Sequence, residues 1–93
     1  MASYMICYDL YQDGQQYEKI EKEIQKLGEC VKVLRTTWVL NSESSLYFVK
    51  AMLETVTDNN DKIIIVSLDN KAACLRLDYS IEKWLREHHF ELE

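Results

Sequence analysis

The chain has no proline and only two glycines, Gly14 and Gly28, among 93 residues. No glycine-rich phosphate loop can be drawn from them, which excludes nucleotide binding of the P-loop kind. No segment has the composition of a linker, so the sequence predicts a single domain over residues 1–93. There are three cysteines, an odd number without C-x-x-C spacing, which argues against a disulfide framework and for a reducing cytoplasm. No apolar run approaches the ~20 residues of a membrane helix. The amino end lacks the pattern of a signal peptide, since its first charged residue is the acidic Asp9. Excess positive charge is missing too: 11 Lys and Arg face 16 Asp and Glu, a net charge of −5. Nucleic-acid binding rests largely on phosphate neutralisation, so this balance weakens the expectation of a nucleic-acid partner. Lys19, Lys22 and Lys26 are interleaved with Glu18, Glu21 and Glu23 and read as a solvated, ion-paired helix face.

What the chain does have is apolar bulk. Nearly half the residues are hydrophobic, 47%, with two tryptophans, six tyrosines and two phenylalanines, which excludes a disordered tail. Ser3 to Leu10 is short, β-branched and aromatic and reads as a strand. Asp13 and Gly14 break it from a helix over Gln15–Leu27, whose Tyr17, Ile20, Ile24 and Leu27 form one apolar stripe. Gly28 suits a left-handed helix end. Cys30 to Leu40 alternates with period two and predicts two short antiparallel strands joined around Arg35–Thr37, or one long bent strand. Asn41 to Ser45 is a polar capping cluster before a second helix carrying Leu46, Val49, Met52, Leu53 and Val56. Lys62 to Leu68 is continuously apolar after its lysine, the mark of a strand covered on at least one face and flanked by partners. Ala72 to Leu77 reads as a short irregular strand. Asp78 or Ser80 then caps a last helix with Ile81, Trp84, Leu85 and His88 on one face, which should pack on the sheet or swap onto a partner chain. Leu92-Glu93 has the look of a tag-derived end and is left out of the fold prediction. The order predicts an α+β, ferredoxin-like βαββαβ sandwich: an antiparallel sheet, helices on one face, and an extra C-terminal helix.

Asp9 is the residue of chemical interest. A carboxylate closing an apolar strand is either a solvated strand terminus, accepting a turn hydrogen bond, or a site for a metal or substrate; Asp9 is the one acidic group that burial should force into an unusual position. One carboxylate is a poor site for a hard cation, but a symmetric dimer could bring two Asp9 side chains to one Mg²⁺, with Asp13 supporting them. His88 and His89 are neighbours on a helix and cannot face the same way, so a zinc site there is not expected. Thr37, Ser44 and Ser45 lack a nearby base and read as caps and sheet hydroxyls. Cys7 and Cys30 fall in strands as small core residues, whereas Cys74 lies in a less regular stretch. Tyr4, Tyr8, Tyr11 and Tyr17 read as core or rim packing, with base stacking as the alternative.

Tyr8-Asp9-Leu10 closing the first strand is followed by a helix, Gly28, the Arg35-Thr36-Thr37-Trp38-Val39-Leu40 strand pair, a second helix and Ile63–Leu68. Over about residues 3 to 68 this arrangement resembles the CRISPR-associated protein 2 superfamily. It is also similar to the small bacterial proteins called SinR-like and, more distantly, to virulence-associated protein D ribonucleases. The resemblance implies a ferredoxin-like homodimer. It further implies that Asp9 matches an aspartate paired across the dimer and linked to metal-dependent cleavage of nucleic acid, with Mg²⁺ or Mn²⁺ as cofactor. A non-catalytic scaffold or interaction module is the alternative. Departures from the family pattern are the loop Tyr11-Gln12-Asp13-Gly14, which carries no base, Thr37-Trp38 in place of a serine–phenylalanine pair, and the acidic charge.

Overall fold

A computed structural model describes residues 1–11 and 15–93. The roles predicted for Asp13 and Gly14 lie outside the described residues. In chain order the elements are β1 (Ala2–Asp9), α1 (Gln15–Leu27), β2 (Glu29–Leu34), β3 (Thr37–Ser42) and α2 (Leu46–Glu54). They continue with β4 (Lys62–Ser67), β5 (Lys71–Ala72), α3 (Tyr79–Glu87) and β6 (Glu91–Leu92). The first four strands form an antiparallel sheet in the order β2-β3-β1-β4. With α1 linking β1 to β2 and α2 linking β3 to β4, this is the ferredoxin-like topology.

Period-two alternation decides which side chains meet the helices. Tyr4, Ile6 and Tyr8 of β1 and Trp38 and Leu40 of β3 are buried together with Ile20 and Ile24 of α1 and Val49 and Leu53 of α2. The apolar stripe read from the sequence of α1 is therefore the one that closes the core. On α2 the stripe holds for Val49 and Leu53, while Leu46 at the helix start stays 43% exposed. Ser45 caps this helix by accepting the Phe48 N–H at 3.1 Å. Asn41 and Ser42, read as part of the cap, belong to β3, where they pair with Ser3 and Ala2.

The opposite alternation builds a second, smaller core. Val39, Leu85 and Phe90 are buried there, flanked by Val31, Val33, Ile81, Trp84 and Leu92. α3 thus packs back on its own sheet, on the face away from α1 and α2. Glu91–Leu92 is part of the fold: it pairs in parallel with Lys71–Ala72, and Leu92 joins the second core. Leu92 and Glu93, left out of the fold prediction, thus contact the fold, the Glu93 N–H donating to the Ala72 carbonyl at 3.0 Å; two-residue strands give no period to read. The strand predicted over Ala72 to Leu77 is likewise confined to Lys71–Ala72.

Two helix ends differ from the expectation for reasons of packing. Gly28 does not adopt the left-handed conformation. It is required because a Cβ there would lie 2.3 Å from the Asn41 carbonyl oxygen. Among the described non-glycine residues, the left-handed positions are Asn70, Arg76 and His89, with φ of 62°, 63° and 70°. At the end of α3 the Phe90 N–H donates to the Leu85 carbonyl and the His89 N–H to the Arg86 carbonyl, at 2.9 and 3.1 Å. That is a Schellman closure with histidine where glycine is usual, and its Phe90–Leu85 apolar contact anchors the second core.

Candidate functional site: the open half of the second sheet face

α3 and the β5–β6 pair cover the second face over β2 and β3 and reach Leu68 and the buried Ser3 at one end of the β1–β4 pair. From Met5 and Val66 to Asp9 and Lys62 that face is open. Its cross-strand pairs are Met5 with Val66, Cys7 with Ile64, and Asp9 with Lys62. Ile64 is 60% and Val66 41% exposed, and Met5 and Cys7 are half-buried beside them. The continuous apolar run of β4 led to the expectation of a strand with partners around it. β4 is in fact an edge strand with a single neighbour, β1, and α2 shields only its other face.

Asp9 ends this apolar stripe and is exposed, so the expectation that burial forces it into an unusual position is corrected: among the described residues no element covers this end of the β1–β4 pair. The cross-strand cation Lys62 stands beside it, and the two contribute to a shallow depression of about 300 Å³ with Cys7 and Ile64. Among the described residues no group of three or more His, Cys, Asp or Glu is arranged to hold a metal ion. One protomer therefore does not fit Mg²⁺ or Mn²⁺: it offers a single carboxylate with an ammonium neighbour, where a hard cation wants several oxygens.

Most of the other residues singled out by sequence are occupied structurally. The Thr37 hydroxyl donates to Cys7 Sγ at 3.7 Å, and the Ser44 carbonyl accepts from the Tyr4 hydroxyl at 2.7 Å. Burial pushes the Cys30 thiol above its usual range, which suits a packing residue rather than a nucleophile. The three cysteines are free. Tyr4 and Tyr8 are core, Tyr17 packs against it, and Tyr11 is 70% exposed. The helix face shows its expected pairs, Glu18–Lys22 at 3.0 Å and Glu23–Lys26 at 4.0 Å.

Two polar clusters were not legible in the sequence, because each joins distant elements. Tyr8 donates to Glu21 at 2.9 Å, Trp38 Nε1 donates to the Tyr8 oxygen at 3.1 Å, and Lys32 reaches the same Glu21 carboxylate at 2.8 Å. Burial is the main force pushing the Tyr8 phenol well above its ordinary range; the Trp38 N–H opposes it and the Glu21 carboxylate adds to it. Tyr8 is thus held as a neutral hydrogen-bond donor. The second cluster centres on His88, which lies just past the end of α3 rather than inside a helix with His89. Its ring stacks on Trp84 at 3.7 Å between centroids, Nδ1 meets the Trp84 carbonyl at 2.8 Å, and Nε2 meets the Glu29 carboxylate. His88 thereby fastens α3 to the start of β2.

No family model and no curated protein matches the chain. Among solved structures, the fold is similar to the crystal structure of a hypothetical protein, TT1823, from Thermus thermophilus. The match has a TM-score of 0.65 at 18% identity, covering 80% of this chain and 89% of that one. No helix among the described residues is long and apolar enough to cross a membrane. The chain is an α+β protein of ferredoxin-like fold, with a third helix on the second face of its sheet and half of that face left open.

Proposed function

We propose that this chain is a homodimeric interaction module that pairs through the open half of its second sheet face. The observation that carries the reading is the stripe of Met5, Cys7, Ile64 and Val66, apolar and uncovered on a sheet whose other half α3 covers. Contiguous exposed apolar surface favours association, because pairing removes it from water at roughly 25 cal/mol per Å². The resemblance to a superfamily of homodimers supports a second copy as the occupant. The free thiols suit a reducing, cytoplasmic setting.

Concentration-dependent sedimentation tests this reading. The wild type should sediment as a dimer, and Ile64→Glu should sediment as a monomer with an unchanged circular dichroism spectrum. A wild-type protein that stays monomeric at high concentration, or an Ile64→Glu protein that stays dimeric, would overturn the proposal.

A second reading, metal-dependent processing of nucleic acid, is favoured by one feature: Asp9 lies exposed at the end of the same stripe. A twofold axis near that end of β1 would bring two Asp9 carboxylates together, supplying what one protomer lacks. Titration of the dimer with Mg²⁺ or Mn²⁺, followed residue by residue, should then shift the Asp9 signals. If wild type and Asp9→Ala show identical background activity on RNA and DNA, cleavage by this site is excluded.

A further inference from the structure

We propose that the free edge of β4 and the groove beside it take up an extended, basic peptide segment of another protein as an added antiparallel strand. The site is separate from the open sheet face and independent of dimerisation. Its backbone comes from the ladder. The Leu68 N–H donates to the Ser3 carbonyl at 2.9 Å, and the register pairs Met5 with Val66 and Cys7 with Ile64. Antiparallel hydrogen bonding alternates along a strand, so even-numbered β4 residues bond to β1. Ile63, Ile65 and Ser67 consequently turn their N–H and C=O groups outward, where no strand pairs with them among the described residues. Proline, bulges and inward charges normally guard such an edge. β4 has none of them, and its one lysine, Lys62, stands at the end.

The side chains supply specificity. Ile63 and Ile65 face α2 and line a groove of about 580 Å³ with Leu46, Tyr47 and Leu53. Tyr47 is 77% exposed, a large aromatic surface with the Lys50 ammonium 5.9 Å from its ring centroid. Edge and groove together match strand addition, in which main-chain hydrogen bonds give affinity and alternate side chains enter a cleft.

Charge selects the occupant. The groove ends against Glu54, Asp58 and Asp61, with Lys50 as the cation on its wall, 3.5 Å from Glu54. Asp61 accepts the Tyr11 and Asp58 N–H groups at 2.8 and 3.0 Å, and Asp58 accepts the Asn60 N–H at 2.8 Å. These bonds fix the turn that presents the carboxylates at the amino-terminal end of β4. An antiparallel guest places its carboxyl-terminal end there. The fitting segment therefore alternates aliphatic residues and finishes in lysine or arginine.

The test uses the full chain and the acetylated, amidated peptide Thr-Val-Thr-Val-Thr-Val-Arg-Lys, followed by amide NMR and hydrogen exchange. Saturable shifts and new protection should appear at the Ile63, Ile65 and Ser67 amides, with dissociation constants below about 1 mM. Proline at the central valine of the peptide should abolish them. Glu54→Lys should weaken binding about three- to tenfold at low salt, an effect that screening removes at roughly 0.5 M salt. Val66→Glu, on the open face and outside the groove lining, should bind the peptide as the wild type does, which separates this site from the dimer interface. The proposal is overturned by no saturable shift at about 1 mM peptide, by shifts centred on Met5 and Val66, or by equal binding of the proline peptide. Concentration-dependent protection of the same amides without peptide would also overturn it, since a second copy would then hold the edge.

Discussion

Replacing Gly28 by alanine drives a methyl group into the backbone of the neighbouring strand. The new Cβ would lie 2.3 Å from the Asn41 oxygen and 3.2 Å from both the Asn41 carbonyl carbon and the Ser42 Cα. The first contact is about 1 Å inside ordinary van der Waals separation. All three atoms are main chain, so no side chain can rotate aside. Either the end of α1 or β3 has to move, and the two are tied together by the Ser42 hydroxyl donating to the Leu27 carbonyl at 2.6 Å. β3 is in turn held on both sides, by β1 and β2. Forced overpacking of this kind costs about 1–3 kcal/mol, and the rigid surroundings place Gly28→Ala near the upper end. In a chain of this length that lowers the melting temperature by roughly 8–20 °C. Thermal and urea unfolding followed by circular dichroism measure it directly. The opposite sign has a known cause: Gly→Ala at an unstrained position stabilises by about 0.4–1 kcal/mol through the unfolded chain. A variant equal to or more stable than the wild type would show that the approach of Gly28 to Asn41 is not tight, and would refute the argument.

Tyr8→Phe leaves the buried Trp38 N–H without its acceptor and should cost about 1–3 kcal/mol at neutral pH by urea titration. The folded phenol ionises well above its ordinary 10.0, so the unfolded state loses its proton first. Stability is therefore full below pH 10 or so and falls as pH rises beyond it, and Tyr8→Phe should remove that part of the fall. His89→Gly relieves a left-handed histidine at the end of α3 and should raise stability by about 1 kcal/mol, read as a higher melting temperature. Ser45→Ala deletes the cap of α2 and should cost about 1 kcal/mol, with faster amide exchange at Phe48. Deleting residues 79–93 uncovers Val31, Val33 and Val39 and should lower the urea midpoint and raise dye binding to exposed apolar surface; no change in either would refute the packing of α3.

The four strands of the main sheet, the helices and their order were determined by the sequence alone, for a physical reason. Where a segment has one apolar side, its period is written locally: Tyr17, Ile20, Ile24 and Leu27 mark a helix, and the alternation through Cys30 to Leu40 marks a hairpin. The strand–helix order that follows restricts the chain to few topologies, and the observed sheet is the ferredoxin-like one.

Properties that depend on two distant segments were decided only by tertiary structure. Gly28 looked like a helix cap, but its constraint comes from Asn41, which no local pattern connects to it. His88 acquires its role from Glu29, 59 residues away. The run Ile63-Ile64-Ile65-Val66 reads the same whether its strand is central or at an edge; only the sheet order leaves Ile64 and Val66 exposed and the outer backbone unpaired. Asp9 was legible as a carboxylate closing an apolar strand. That it stands in solvent beside Lys62, at the end of an open apolar face, follows from pairing and from how far α3 reaches across the sheet. Period and order are local and survive in the sequence; exposure is a property of neighbours, and neighbours exist only once the chain has folded.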